Sequence, residues 1–323
     1  MAKKSMGGFL PIELQKAKEF YDDDAIRLNS ARNAIVLSVL DGKYKKVYIP
    51  LYLCPSVADT LKKNGIIFEY YNINSNLEPD SVEITADECI LIVNYFGFMN
   101  EKRLYAIKQQ YKNVIIDNTQ AFYMKPISGA YNVYSCRKFF GVSDGAYLIK
   151  NGIKKYKFPK DYSCYRGEYL LESLEKGTNV AYQHFLESED NIASNEILEM
   201  SDLTKSILDG IDYEYIRQKR INNFNYLHKK LAGENTFSIP LDYEYCPMIY
   251  PLVIYDDRLR KYLIENHIYV SQWWKFCIEH KQTNQIEKEL SQYLLPLPID
   301  QRYNIEDMDY LSQCILDYIR KER

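Results

Sequence analysis

Apolar positions along this chain fall into short continuous runs, separated by stretches in which they recur every three or four residues. The runs at 47–49, 66–71, 89–96, 114–117 and 146–149 have the character of buried strands. Pro50 stops the first and Gly97 the third. Between them lie helical patterns. Asn29 or Ser30 can cap a helix carrying Ala34, Ile35, Val36, Leu37, Val39 and Leu40. Residues 57–63 form a second helix closed by Asn64-Gly65, and Leu104, Ile107 and Tyr111 mark one face of a third. Apolar strands alternating with amphipathic helices predict an α/β fold: a mostly parallel sheet covered on both faces.

Beyond residue 150 the pattern changes. Residues 151–200 are less regular and rich in Tyr, Glu and Asn. A long helix follows, with Ile216, Arg220, Phe224, Leu227 and Leu231 in helical register and Gly233-Glu234-Asn235 at its end. Then come a strand over 249–255 and helices over 259–265 and 308–319. This predicts an N-terminal segment over 1–25, a large domain over 26–235 and a smaller C-terminal α/β domain over 236–323.

Composition removes several classes of function. The chain has 323 residues, 46% hydrophobic and 26% charged, with a net charge of −3. These are the proportions of a soluble globular protein. No basic face or tail suggests nucleic acid, and no apolar run reaches the length of a membrane span. No charged-then-apolar signal segment opens the sequence, so a cytoplasmic protein is expected. The seven cysteines are odd in number and form no CxxC pair, which predicts reduced thiols. The four histidines lack metal-ligand spacing, and neither a Walker loop nor GxGxxG is present. A metal centre is therefore not expected.

In open parallel sheets, ligands bind beyond the carboxyl ends of the strands. Asn94, Asp117 and the turn at 135–138 fall there by pattern alone. Lys138 lies between Val133-Tyr134 and Phe139-Phe140, and a lysine in such a place is costly to bury unless it is paired or neutralised. A strand-end carboxylate followed by a loop lysine is what pyridoxal phosphate chemistry requires. The lysine forms a Schiff base with the cofactor aldehyde, and the carboxylate keeps the ring nitrogen protonated. Arg137 is either a second cation that depresses the lysine pKa or a phosphate ligand. Gln120 offers an amide to the ring hydroxyl or the phosphate. Ser135 and the helix start Ser30-Ala31-Arg32-Asn33 supply two halves of a phosphate cup.

Here the sequence resembles a known family. Asn29-Ser30-Ala31-Arg32-Asn33-Ala34-Ile35 resembles the SGTxAL helix start of fold-type-I pyridoxal phosphate enzymes. Ile116-Asp117-Asn118-Thr119-Gln120-Ala121 is similar to the EDxxQA signature of the DegT/DnrJ/StrS sugar aminotransferases. The stretch from Tyr134 through Lys138 to Gly145 resembles their lysine loop, and Val47-Tyr48-Ile49-Pro50 and Asn94-Tyr95-Phe96-Gly97 fall where the family has VIVP and VHxYG. Order and rough spacing agree over 25–150, and more loosely afterwards. Ala31 and Arg32 stand where Gly and Thr are usual, and Ala146 where a second Gly is usual. Cys54 falls where an aromatic residue stacks on the cofactor ring; Tyr52 or Phe96 could take that part. The family's neighbour-supplied Asn and Arg have no clear match near Met200-Ser201-Asp202. These departures imply a divergent member.

The resemblance implies a fold-type-I pyridoxal phosphate-dependent transferase. Lys138 and Asp117 are catalytic, and Ala31, Arg32, Gln120, Ser135, Tyr52 and Cys54 join Asp117 and Lys138 around the cofactor. The reaction implied moves an amino group from an amino acid, glutamate in the first instance, to a keto sugar. That sugar is often nucleotide-linked and made for a surface glycan or natural product. Phe96, Trp274 and Arg302, with Trp273 and His267, are candidates for the acceptor pocket. The family also implies a homodimer, with the Tyr-rich stretch 156–200 as the candidate interface. Two alternatives stand beside this. One is another pyridoxal phosphate enzyme of the same fold, a dehydratase or an amino-acid-metabolising enzyme. In the known sugar dehydratases of the family a histidine replaces the lysine, so Lys138 argues against that branch. The other is a non-catalytic regulatory relative, which loss of Asp117 or Lys138 would signal.

Overall fold

The computed structural model describes residues 7–21, 25–194, 196–240 and 246–322. A seven-stranded sheet forms its centre, in the order β1-β7-β6-β5-β4-β2-β3. The strands are β1 (Ile26–Leu28), β2 (Lys46–Pro50), β3 (Ile67–Tyr71), β4 (Glu88–Val93), β5 (Val114–Asp117), β6 (Tyr131–Ser135) and β7 (Ala146–Ile149). From β3 across to β6 the pairs are parallel; β7 runs antiparallel to both β6 and β1. All of β5 and all of β4 but Glu88 are buried, which is why these strands are continuous apolar runs. Helices α1 (Ala31–Gly42), α2 (Pro55–Lys63) and α3 (Glu101–Gln110) connect them.

The registers bring the site together. Val93 pairs with Asp117, and Asp117 with Val133, so β4, β5 and β6 end at about the same level. Ser135 pairs with Ala146, which makes residues 136–145 the loop joining β6 to β7. Lys138 stands on that loop. Gly145 closes it at φ +113°, and a Cβ there would lie 2.9 Å from Thr204 Cγ2.

The remaining elements are α4 (Glu168–Lys176), α5 (Tyr182–Ser194), α6 (Asp202–Asp209), α7 (Tyr213–Leu231), β8 (Tyr250–Val253), α8 (Arg258–Glu265), α9 (Gln285–Tyr293), β9 (Leu294–Leu297) and α10 (Ile305–Glu322). Strands β8 and β9 form a separate antiparallel pair. Loop 136–145 is fastened to α6: buried Asp144 accepts from the Ser201 amide at 2.8 Å, from the Ser201 hydroxyl at 2.7 Å and from the Thr204 hydroxyl.

Several elements differ from the sequence expectation. The run at 89–96 is strand only to Val93; Phe96 then takes φ +59° and the chain turns. Strand β6 was hidden by Asn132, whose side chain is buried and serves the Ile127 amide and the Ile127 and Ala130 carbonyls. The stretch 151–200 contains two helices, α4 and α5, and α4 buries no residue. Without a buried stripe its helical periodicity has little to show. No helix among the described residues is long and apolar enough to cross a membrane.

Candidate active site

A cavity of about 570 Å³ opens at the carboxyl ends of β4, β5 and β6. That volume suits a cofactor or a small substrate. Helix α1 begins at it. Ser30 is the N-cap, its hydroxyl accepting from the Asn33 amide at 3.3 Å, and Ser30, Ala31 and Arg32 all line the wall. The first amides of a helix lack internal partners, so this end attracts an anion. Arg32 adds a guanidinium whose pKa burial lowers. Ser135, at the end of β6, lies on the same cavity and is 6% exposed.

Asp117 is buried at the end of β5, and one of its oxygens accepts from the Thr119 amide at 2.9 Å. Among the described residues it forms no ion pair. Burial pushes its carboxyl pKa up, against the two bonds from Thr119. Such a carboxylate is held ready for a cation that none of the described residues supplies.

Lys138 lines the cavity and is exposed. Desolvation lowers its pKa, and the neighbouring charges of Arg137 and Arg32 lower it further. Arg137 is brought down to about 10, chiefly by burial. Its guanidinium pairs with Glu189 of α5, and its Nε has no partner. The cavity thus holds a lysine tuned toward its neutral, nucleophilic form.

Gln120 lines the cavity while its Oε1 accepts from the Phe96 amide at 2.9 Å. That bond helps hold Phe96 at its positive φ. Gly97 follows at φ +84°, where a Cβ would meet the Gln120 carbonyl oxygen at 3.1 Å. Asn94 is buried and fixes the same turn by accepting from the Met99 amide at 2.9 Å.

Of the residues singled out from sequence, Ala31, Arg32, Cys54, Asp117, Gln120, Ser135, Lys138 and Trp274 line this one cavity. Tyr52, Phe96, His267 and Arg302 do not. Tyr52 is fully buried, with its ring centre 4.3 Å from that of Trp274. Phe96 is fully buried and stacks beneath Trp273 at 6.0 Å. These two rings support the wall from behind. His267 sits in a turn at φ +60°. Arg302 is exposed and grips Asp300 through bonds of 2.7 and 2.9 Å. Sequence reasoning did not select Glu189, Arg220, Tyr269 and Ser271, which also line the cavity. Arg220 carried one signal, a charge in the apolar register of its helix. Among the described residues no group of three or more His, Cys, Asp and Glu side chains could hold a metal.

No family model matches the sequence, and no curated protein does. The fold does have solved counterparts. A DegT/DnrJ/EryC1/StrS aminotransferase from Brucella abortus superposes with a TM-score of 0.64 at 14% identity, over 91% of this chain and 85% of that one. DesV of S. venezuelae, solved with a ketimine intermediate, gives 0.65 at 14% identity, over 92% and 85%. NtdA from Bacillus subtilis, solved with bound PMP, gives 0.65 at 16% identity, over 92% and 73%. The chain, with its mostly parallel seven-stranded sheet, thus has the fold-type-I transferase fold seen in a DegT/DnrJ/EryC1/StrS aminotransferase and in DesV.

Proposed function

We propose that this protein is a pyridoxal phosphate-dependent aminotransferase acting on a keto sugar. One observation carries the reading: an anion-attracting helix start, an unpaired buried carboxylate and a lysine of lowered pKa line the same cavity. The residues fit the cofactor. Asp117, lacking a cation, suits a protonated ring nitrogen. The amides of Ala31 and Arg32, with the Ser135 hydroxyl and the Arg32 guanidinium, suit a phosphate. Lys138 suits the aldehyde. Bound there, pyridoxal phosphate supplies the carbonyl carbon that carries nitrogen and a ring that withdraws electrons from the substrate α-carbon.

The chain's own residues do the rest. Lys138 Nζ would serve as the general base that takes the proton from the donor α-carbon, and as the acid that gives a proton back to the acceptor carbon. Its lowered pKa favours the neutral amine for that work. Arg137, beside it, disfavours the ammonium, and Glu189 keeps Arg137 in place. Asp117 holds its charge against the ring nitrogen in surroundings where that charge is otherwise costly. Tyr269, Trp273 and Trp274 also line the cavity, and aromatic side chains suit a sugar ring. Other similar structures, CalS13 from Micromonospora echinospora and Spr1654 from Streptococcus pneumoniae, are named as a sugar aminotransferase and a putative one, which supports the acceptor class.

Glutamate as donor, a nucleotide-linked acceptor and a place in glycan or natural-product synthesis are the finer parts of this proposal, as is a cytoplasmic location. A homodimer belongs to it too. Tyr165, Leu171, Leu174 and Tyr182 are exposed on α4, α5 and the turn before them, and α4 buries nothing within its own chain. Exposed apolar side chains gathered in one stretch of chain support a contact site there. Deleting within 156–200 should yield a monomer that retains cofactor poorly, read by light scattering and absorbance. The function itself is tested by the visible spectrum of the purified protein. The reading predicts a cofactor band that glutamate bleaches and a keto sugar restores. A colourless protein that takes up no added pyridoxal phosphate would end it.

A further inference from the structure

Glu287, in the first turn of α9, is fully buried. Its Oε1 accepts from the Ile73 amide at 3.0 Å. Its Oε2 accepts from Asn72 Nδ2 at 2.6 Å and from the Asn284 amide at 3.2 Å. The Tyr52 amide donates to the same carboxylate. Among the described residues no cation pairs with it. Burial raises its carboxyl pKa, and these four donors act against that rise. A buried charge without a counter-ion is costly and persists only where donors surround it. The local task of Glu287 is to close the capping box of α9 with Asn284. That task uses one donor of the four. The other three come from two distant loops.

Those loops bear on the cavity. Residues 51–54 follow β2 and residues 72–74 follow β3. Leu53 and Cys54 line the cavity directly. The segment that precedes α9 is tied to the same two loops. The Trp274 ring meets the Tyr52 ring edge-on, with centres 4.3 Å apart. The Trp274 carbonyl accepts from the Cys277 amide at 2.9 Å, and the Cys277 thiol donates to the Leu51 carbonyl at 3.5 Å. Asn284 Nδ2 donates to the Ile73 carbonyl and Asn72 Nδ2 to the Gln282 carbonyl, both at 2.8 Å. Glu287 is the charged centre of this junction, and the others are neutral bonds around it.

We infer that Glu287 is a positioning residue of the cavity: it clasps the segment carrying Trp273 and Trp274 onto the loop carrying Leu53 and Cys54, and so sets the space open to the acceptor between them. What enters that space rests on the aminotransferase reading; the clasp does not.

The protein carries its own reporter. Trp273 and Trp274 are its two tryptophans and both line the cavity, so tryptophan emission reads the aromatic wall alone. Peptide hydrogen exchange reads the loops at 51–54 and 72–74. Glu287→Gln keeps the side-chain volume but sets an NH2 group against N–H groups that need an acceptor. In the cofactor-free protein it should speed exchange in both loops by at least about tenfold, the scale of a lost bond to a charged group. The tryptophan emission should shift to the red and be quenched more readily by acrylamide. Strands β4 and β5 should exchange as in the parent chain. Pyridoxal phosphate affinity should stay within about threefold, because Asp117, Ser135 and Lys138 stand on other strand ends and another loop. Asn72→Ala removes one donor at a half-buried position and should move the same two reporters by less. It answers the question if Glu287→Gln fails to fold. Unchanged tryptophan emission, with or without looser loops, would overturn the inference. So would faster exchange throughout the sheet, the mark of a merely structural buried acid. A parent chain that takes up no pyridoxal phosphate would sink the aminotransferase reading and leave the clasp to be judged by emission and exchange.

Discussion

The two walls of the cavity are built differently. The wall from the large sheet carries charge: Asp117, Lys138, Arg137 and Arg32 stand at strand ends, on one loop and at one helix start. Its backbone is fixed by buried bonds, such as Asp144 to Ser201 and Gln120 to Phe96. The facing wall, from residues 269–274 and 296–300, carries mostly rings and prolines, Tyr269, Trp273, Trp274, Pro296 and Pro298, with one carboxylate, Asp300. Trp274 itself sits at φ +49°. Charge that does chemistry has to be held rigidly, because small misplacements cost large factors in rate. Flat apolar surface selects by shape and tolerates more. Damage to the first wall should therefore appear in kcat, and damage to the second in KM.

The sharpest break in that contrast is Lys138→Ala, which should abolish amino transfer and the visible band together. Next is Asp117→Asn, with turnover expected to fall by about two orders of magnitude or more, as for other general electrostatic stabilisers. Stability should move the other way. A carboxyl whose pKa is raised on folding adds stability below its unfolded pKa and loses it as the pH rises through the folded one. Burial raises Asp117 in this way, so at neutral pH its charge costs stability in the cofactor-free protein. Thermal unfolding of cofactor-free Asp117→Asn should occur at the same temperature or a few degrees higher, about 2–4 °C per kcal/mol recovered. A clear fall would mean that Asp117 is held by something other than the bonds described.

On the facing wall, Trp273→Ala should raise the acceptor KM by roughly tenfold or more while kcat changes little, given what one aromatic contact contributes. Equal losses in kcat would erase the division of labour. Gly97→Ala probes the support between the walls. Its φ of +84° and the nearby Gln120 carbonyl predict a loss of about 1–2 kcal/mol, read by denaturant titration. The smallest effect belongs to Arg302→Ala. Its guanidinium is exposed and bound to Asp300, so donor and acceptor kinetics should stay within about twofold.

How far each wall could be foreseen from sequence follows from how it is assembled. Ser30, Asp117 and Lys138 belong to local patterns: a helix cap, the end of an apolar run and a polar turn between apolar stretches. Parallel strands then place those local signals at one edge. Arg220, Glu189 and Tyr269 arrive from α7, α5 and the segment after α8, and nothing local says that these meet. Tyr52 and Phe96 looked like ring-stacking candidates, since an aromatic in a loop carries no mark of whether it faces a cavity or backs it. Arg302 could have been doubted earlier, because Asp300 lies two residues away and offers a local partner. Strand β6 was missed because a buried Asn132 interrupts its apolar run, and its bonds to the 127–130 turn are tertiary knowledge.

The most direct test is borohydride reduction of the pyridoxal phosphate-treated protein, followed by mass spectrometry of its peptides. The account predicts a single phosphopyridoxyl adduct on Lys138, absent from Lys138→Ala. An adduct on another lysine, or none in a folded protein, would contradict it.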